Sequence, residues 1–268
     1  MSLQGGAFLC HSTLMLSQLE ALHPTTRFSN RVENYVKYRP SYPAQIVPFL
    51  EEHIGLGKDQ RIADIGSGTG IFSELFLGKG YSVVGIEPNA DMRMAADHHL
   101  SRFTGFSSMD QRAEDTGLDS QSIDLITVAQ AFHWMDPGPT KMEFNRILKP
   151  GGHILLAWNL RLHHTPFLEG YETLKQRFGI DYKLTKRADE AVIQEFFSPG
   201  TIHIQNFSNV QWLDFDALKG QLLSASYIPL PGHPSYDNMI SELVRLFVSF
   251  NENGLVKMEF ETKLYMNS

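Results

Sequence analysis

The run Asp64-Ile65-Gly66-Ser67-Gly68-Thr69-Gly70 places three glycines between an apolar segment, Arg61–Ile65, and a helical pattern. Glycine admits left-handed backbone and has no Cβ, so such a turn lets a ligand approach the main chain closely. A nicotinamide dinucleotide asks for G-x-G-x-x-G, with a helix N-terminus facing its pyrophosphate. Gly66 and Gly68 fit that pattern, but its third position falls on Ile71, and the third glycine comes one residue early, at Gly70. Asp64 adds a carboxylate beside the turn, which suits an ammonium or sulfonium ligand better than a pyrophosphate. Glu87 follows Gly66 by 21 residues, at the end of the next strand. From there a carboxylate accepts hydrogen bonds from both hydroxyls of a ribose. Singly, the glycines read as a structural turn and Glu87 as a solvated acid at a helix start. Their common register points to a ribose-bearing ligand.

These residues need elements to hold them. Residues 61–158 alternate strand and helix: strand Arg61–Ile65, helix Thr69–Lys79, strand Ser82–Ile86 and helix Asn89–Leu100 with Asn89 as N-cap. A weak strand Phe106–Met109 follows, then the apolar strand Ile123–Val128, helix Asp136–Leu148 and strand His153–Trp158. This order predicts an α/β fold with a parallel sheet covered by helices on both faces. Beyond Trp158 the pattern predicts helices Phe167–Phe178, Arg187–Phe197, Asp216–Ser226 and Ser235–Phe250. Strands are expected at Thr201–Phe207 and Val256–Met266.

With the glycine turn and its acid in register, the chain resembles the class I S-adenosylmethionine-dependent methyltransferases. The likeness is to the small-molecule branch that includes trans-aconitate and ubiquinone-biosynthesis enzymes, and it runs from about Phe28 to Trp158, more faintly beyond. It implies a Rossmann-like, doubly wound, seven-stranded sheet whose last strand is antiparallel. It also implies S-adenosyl-L-methionine as cofactor, touching Gly66, Ser67, Gly68 and, at the ribose, Glu87. By the same match Asp64 lies near the methionine part, and Asn89 and Met92 flank the adenosine. Arg112-Ala113-Glu114-Asp115 is similar to the adenine-edge loop, with Ala113 and Glu114 at the exocyclic amine. Asp124–His133 is similar to the fourth-strand segment, with Ala129 and Gln130 beside the methionine moiety. Leu148-Lys149-Pro150-Gly151-Gly152 is similar to the turn before strand five. The segment from Phe28 to Pro43 resembles the part that folds over the cofactor. Tyr35 and Arg39, four apart, share a helix face there. Arg39 either forks onto the methionine carboxylate or caps the helix before Pro40, with Tyr35 in the core.

Methyl transfer from a sulfonium is an in-line displacement, so the protein must chiefly align the reactants in a water-poor pocket. Open α/β sheets bind ligands beyond the carboxyl ends of their strands. That places Gln130–Trp134 and Trp158–Arg161 at the site. His133 could act as base, Trp134 or Phe132 could wall the pocket and favour a cation, and Arg161 would suit a carboxylate. Each has a structural alternative: core packing for the aromatics, a polar contact for His133, surface for Arg161, His163 and His164. No metal site is expected, since no histidine or acid spacing matches one.

The formal net charge of −7 and the lack of a basic run argue against nucleic acid or anionic membrane as partner. Cys10 is the only cysteine, which fits a reducing, cytoplasmic setting, and the apolar runs are too short to span a bilayer. Residues 1–27 read as a mobile arm or added extension and 28–268 as one methyltransferase domain. Within it, 44–158 would be the cofactor core, about 159–250 helical insertions forming a substrate lid, and 256–266 the final strand. The expected acceptor is a small molecule, with a carboxylate or hydroxyl oxygen favoured; monomer or homodimer is left open. The alternatives are an NAD(P)-binding oxidoreductase and a non-catalytic S-adenosylmethionine-binding regulator. The amino-methylating motif of nucleic-acid enzymes is replaced by Gln130-Ala131-Phe132-His133.

Overall fold

The structure is a computed structural model that describes residues 31–180, 182 and 189–267. The expected arm at 1–27 and the start of the predicted helix at 187 lie outside the described residues. Seven strands form one sheet in the order β3-β2-β1-β4-β5-β7-β6. They are β1 Arg61–Ile65, β2 Ser82–Ile86, β3 Phe106–Met109, β4 Ile123–Ala129, β5 Leu148–Arg161, β6 Ile202–Leu213 and β7 Val256–Asn267. The first five are parallel, and β7 runs antiparallel to both β5 and β6. The Rossmann-like sheet and its antiparallel last strand are as the resemblance implied.

Sequence pattern explains which strands sit where. In β1 and β2 every residue after the first is buried, as parallel strands covered on both faces require. Helices α1 Val32–Tyr38 and α2 Ile46–His53 precede β1, and α3 Ile71–Leu77 and α4 Ala90–His99 follow β1 and β2. Then α5 Pro137–Ile147 links β4 to β5. Two apolar cores fill the faces, one around Ile65, Val128 and Trp158, the other around Ile62, Phe76 and Leu155.

After β5 come α6 Pro166–Phe178, α7 Glu190–Phe197, α8 Phe215–Leu223 and α9 Tyr236–Phe250. A third core joins α6, α8 and α9 to Val256, Met258 and Phe260 of β7. The strand serves two bodies of packing: residues 260–266 pair with β5, while 256–259 pair with β6 alone and support the helices. Helix α3 starts two residues later than predicted, because Gly70 at its N-cap is left-handed. Strand β6 runs past Phe207 to Leu213, carried by twelve register pairs with β7. Among the described residues no helix is long and apolar enough to cross a membrane.

Helix α1 has no buried residue of its own and is tied down from outside. Arg31, 8% exposed, donates to the carbonyls of Leu223 and Ala225 at 2.8 Å each and of Ile228 at 2.6 Å. A cation on the last carbonyls of a helix also meets its negative end. At the other end of α1, Tyr38 lies so close to Gly220 of α8 that no Cβ fits between them. We expect Arg31→Met to destabilise the fold by about 3 kcal/mol, since three buried carbonyls lose a charged donor. Urea unfolding would measure this, and limited proteolysis should show new cleavage in α1. A loss below about 0.5 kcal/mol would mean that α1 docks without this anchor.

Candidate active site

The glycine turn lies at the carboxyl end of β1, between β2 and β4. Gly66, Gly68 and Gly70 have φ of 68°, 57° and 79°, a conformation that disfavours a Cβ. Gly66 N and Ser67 N both donate to Ile86 O, at 2.8 and 3.2 Å, fastening the turn to the end of β2. Glu87 is gripped from both sides: Gly68 N donates to Oε2 at 2.9 Å and Asn89 N to Oε1 at 2.8 Å. Burial raises its carboxyl above the usual range, against the pull of those two N–H groups. Each oxygen keeps acceptor capacity for a ligand.

Asp64 lies beneath the turn, 1% exposed. Ser73 Oγ donates to its Oδ2 at 2.6 Å and Thr127 Oγ1 to its Oδ1 at 2.9 Å, while burial lifts the carboxyl to about 6. The carboxylate thus braces α3 and β4 against β1, in addition to lining the cavity beyond the turn.

Three cavities meet here. One runs under Arg39, Asp64, Ser67 and Thr69, and another passes Glu87, Met92, Ala113 and Glu114. Both include Tyr35, Gly66, Gly68, Ala129 and Gln130 in their walls, so they form one elongated space bent over the turn. The third, about 390 Å³, shares Tyr35 and Gln130 with both and extends toward α6. The expected cofactor residues therefore converge, with one exception. Asn89 is 2% exposed, lines none of these cavities, and its Oδ1 accepts from Met92 N at 3.0 Å as the N-cap of α4.

The elongated space suits an adenosyl amino acid. Ser67 Oγ and Thr69 Oγ1 are buried there without a hydrogen-bond partner among the described residues. A Cβ on Gly68 would meet no atom within 4 Å, so the backbone faces open room. Arg39 ends α1, with its N–H on Tyr35 O, while its guanidinium lies 4.7 Å from the Tyr35 ring centre, donates from NH2 to Ser224 O at 3.2 Å and lines the cavity. Tyr35 is not core but lines all three cavities.

At the junction Gln130 has φ of 57°, left-handed for a residue that carries a Cβ. Its N–H on Ala157 O at 2.9 Å and its Nε2 on Asn159 O at 3.1 Å hold it there. Strain of this kind is kept where the surrounding structure over-determines it. His133 and Trp134 follow in a short 3₁₀ turn and line the third cavity, as do Arg161 and His163. Phe132 instead packs in the core, and His164 is exposed near Glu259. Among the described residues no cluster is placed to hold a metal ion.

Burial, and next the charge of Arg39, push the His133 imidazole down to about 4, so it is neutral near pH 7. Its Nδ1 is shielded and unpartnered, although the ring itself shows some surface to the cavity. An unfolded histidine protonates near 6.5. The folded chain therefore binds fewer protons between 6.5 and 4, and stability is full above 6.5 and falls toward 4. Allowing for water in the cavity, His133→Gln should remove about 2 kcal/mol of that loss. Urea midpoints of both proteins at pH 7 and 4.5 test this; parallel losses would contradict the shift.

Helix α6 supplied several wall groups that spacing alone did not identify: Tyr171, Glu172 and Lys175. The available signal was a lysine four residues after Tyr171 on the apolar face of α6, where Phe167, Leu168, Tyr171, Leu174 and Lys175 are all buried.

Comparison with known proteins bears on the family and the fold. Residues 63–156 match the methyltransferase domain model. An uncharacterized methyltransferase of Mycobacterium tuberculosis strain H37Rv is 34% identical over 134 residues, half of this chain and 52% of its own length. The chain thus spans about half the length of that relative. A Dictyostelium discoideum protein named as a methyltransferase is 30% identical over 236 residues, covering 86% of this chain and 74% of the relative. A solved structure described as a type II methyltransferase of Anaeromyxobacter dehalogenans shares the fold, with TM-score 0.63 and 19% identity over 86% of this chain and 97% of that one. The matched segment begins within β1 and ends in β5, so it contains the turn, Glu87 and the strained Gln130. The chain belongs to the class I S-adenosylmethionine-dependent methyltransferases.

Proposed function

We propose that this chain methylates an oxygen, carboxylate or hydroxyl, of a small molecule, with S-adenosylmethionine in the elongated space and the acceptor in the third cavity. The observation that carries this reading is the shared wall. Tyr35 and Gln130 border the ribose end, the methionine end and the acceptor cavity at once, which is where a transferable methyl must sit. When bound, the cofactor supplies an electrophilic methyl on a positively charged sulfur. Glu87 would take the ribose hydroxyls, the Ser67 and Thr69 hydroxyls and Arg39 the amino-acid end, and Ala113 and Glu114 the adenine edge. Tyr35 and Trp134 offer π faces to the developing charge distribution. A carboxylate acceptor needs no base; for a hydroxyl acceptor His133 is unprotonated near pH 7 and can take the proton, as a base weakened by burial and by the Arg39 charge.

Helices α6 and α8, with the turn at 224–230, roof the third cavity and would act as its lid, excluding water from the displacement. Calorimetry with S-adenosylmethionine, S-adenosylhomocysteine and nicotinamide dinucleotides tests the assignment. The two sulfur compounds should bind and the dinucleotides should not. Binding of the dinucleotide alone would overturn it. Release of S-adenosylhomocysteine across a panel of acids, phenols and amines then reads the acceptor; turnover of amines only would refute the oxygen acceptor.

A further inference from the structure

Strand β6 is an outer strand of the sheet, and its composition is unusual for that place. Sheet edges offer a row of unpaired N–H and C=O groups, which chains commonly shield with lysine, proline, a bulge or a short strand. Residues 202–213 contain no Lys, Arg, Asp, Glu, Pro or Gly. All 12 pair with β7 in one unbroken register, so no bulge bends the edge away. Three large apolar side chains stand out from it: Ile204, Val210 and Trp212, 49%, 44% and 53% exposed.

One hydrogen bond fixes which backbone groups face outward. Arg161 of β5 lies opposite Phe260 of β7, and Leu162 N donates to Glu259 O at 3.0 Å. That bond flanks the pair 161–260, which is therefore of the non-hydrogen-bonded kind, and Phe260 turns its own N–H and C=O toward β6. Phe260 lies opposite Asn209, so Asn209 and every second residue from it use their backbone groups on β7. Ile204, Asn206, Ser208, Val210 and Trp212 turn theirs away from the sheet, and all five residues are exposed. Among the described residues no backbone group outside the hairpin bonds to them. One side chain does: Gln205 Nε2 donates to Asn206 O at 3.0 Å.

The strand is also self-complementary about Ser208. Two copies paired antiparallel on a two-fold axis there set Ile204 against Trp212, Asn206 against Val210 and Gln205 against Gln211. The first pair is aromatic on β-branched, a favourable cross-strand match. Gln211 Oε1 already accepts from Gln221 Nε2 at 2.8 Å, and Gln205 Nε2 is on Asn206 O. That leaves a donor on one glutamine and an acceptor on the other. A shift of two residues in either direction parts the glutamines. No charge meets a charge, and the outward N–H groups of each copy meet the outward carbonyls of the other.

We propose that two copies of this chain associate through β6, antiparallel about Ser208, and join their sheets into one. The contact is isologous, so a single strand supplies both halves of it. None of the five outward residues lines any of the three cavities, so association leaves the site open.

Sedimentation velocity of the full chain, from low to high micromolar concentration, should show a monomer–dimer equilibrium. Ser208→Lys places two like charges face to face at the axis, where opposed Cα atoms are about 5.5 Å apart. It should weaken association roughly tenfold or more, and so should Ser208→Glu. An equimolar mixture of the two variants should associate again. Both should keep the parent's circular dichroism and its affinity for S-adenosylhomocysteine. Cys10 is the only cysteine, so Cys10→Ser gives a thiol-free background. There Ser208→Cys should form a disulfide-linked dimer with oxidised glutathione, as the facing distance allows. Asn206→Cys should not, because it faces Val210. A chain that stays monomeric throughout, a dimer that neither charge variant weakens, or a mixture no more associated than either variant alone would each overturn the proposal. Cross-linking at position 206 as complete as at 208 would overturn the register, and the proposal with it.

Discussion

Gly68→Ala should leave the chain folded and cost it at least a hundredfold in affinity for S-adenosylmethionine. At φ of 57° an alanine costs roughly 1 kcal/mol in backbone strain, and its methyl touches no protein atom within 4 Å. That open room is the space proposed for the cofactor, so the added methyl collides with ligand rather than with protein. A hundredfold loss corresponds to about 3 kcal/mol, the upper range of overpacking penalties. Gly66→Ala should do the reverse. There a Cβ would stand 2.5 Å from Ala131 Cβ and 3.3 Å from Met135 Cε, at φ of 68°. Strain and overlap together should destabilise the fold by about 3 kcal/mol before any ligand is added. Thermal unfolding and calorimetry on the two variants separate the effects. If Gly68→Ala binds the cofactor like the parent, the cofactor does not lie against this turn.

The contrast between these glycines marks how far sequence reaches. Turn, strand and acid are legible because they are local: the backbone that bends at Gly66 also sets where β2 ends, and hence where Glu87 stands. Asn89 as an N-cap was legible for the same reason, and that local role is what removes it from the cavity wall. Arg31 was not legible. Its acceptors lie 192 to 197 residues away, on carbonyls that any residue type would present. The left-handed Gln130 has no compositional signal either, since the conformation is imposed by Ala157 and Asn159 of the neighbouring strand. Lys175 stood in plain view on an apolar helix face, but only the approach of Arg161 from β5 makes it part of a cavity wall. What the sequence conveys well is a site made by one βαβ unit; what it conveys poorly is a wall assembled from distant elements.

Glu87→Ala should weaken cofactor binding by about 2–4 kcal/mol, the scale of two charge-assisted hydrogen bonds lost together. The structure adds a second route to that loss. Both carboxylate oxygens already accept backbone N–H groups, from Gly68 and Asn89, so alanine also frees the glycine turn and the start of α4. A lower affinity alone cannot separate ribose contact from a loosened turn. A cycle with S-adenosylhomocysteine and its 2′,3′-dideoxy counterpart can. In the parent chain the hydroxyl-bearing ligand should bind more tightly by most of the 2–4 kcal/mol, and in Glu87→Ala that preference should vanish. Any residual weakening common to both ligands then measures the turn. If the variant keeps the parent's preference for the hydroxyls, Glu87 supports the turn alone and the ribose is held by other groups.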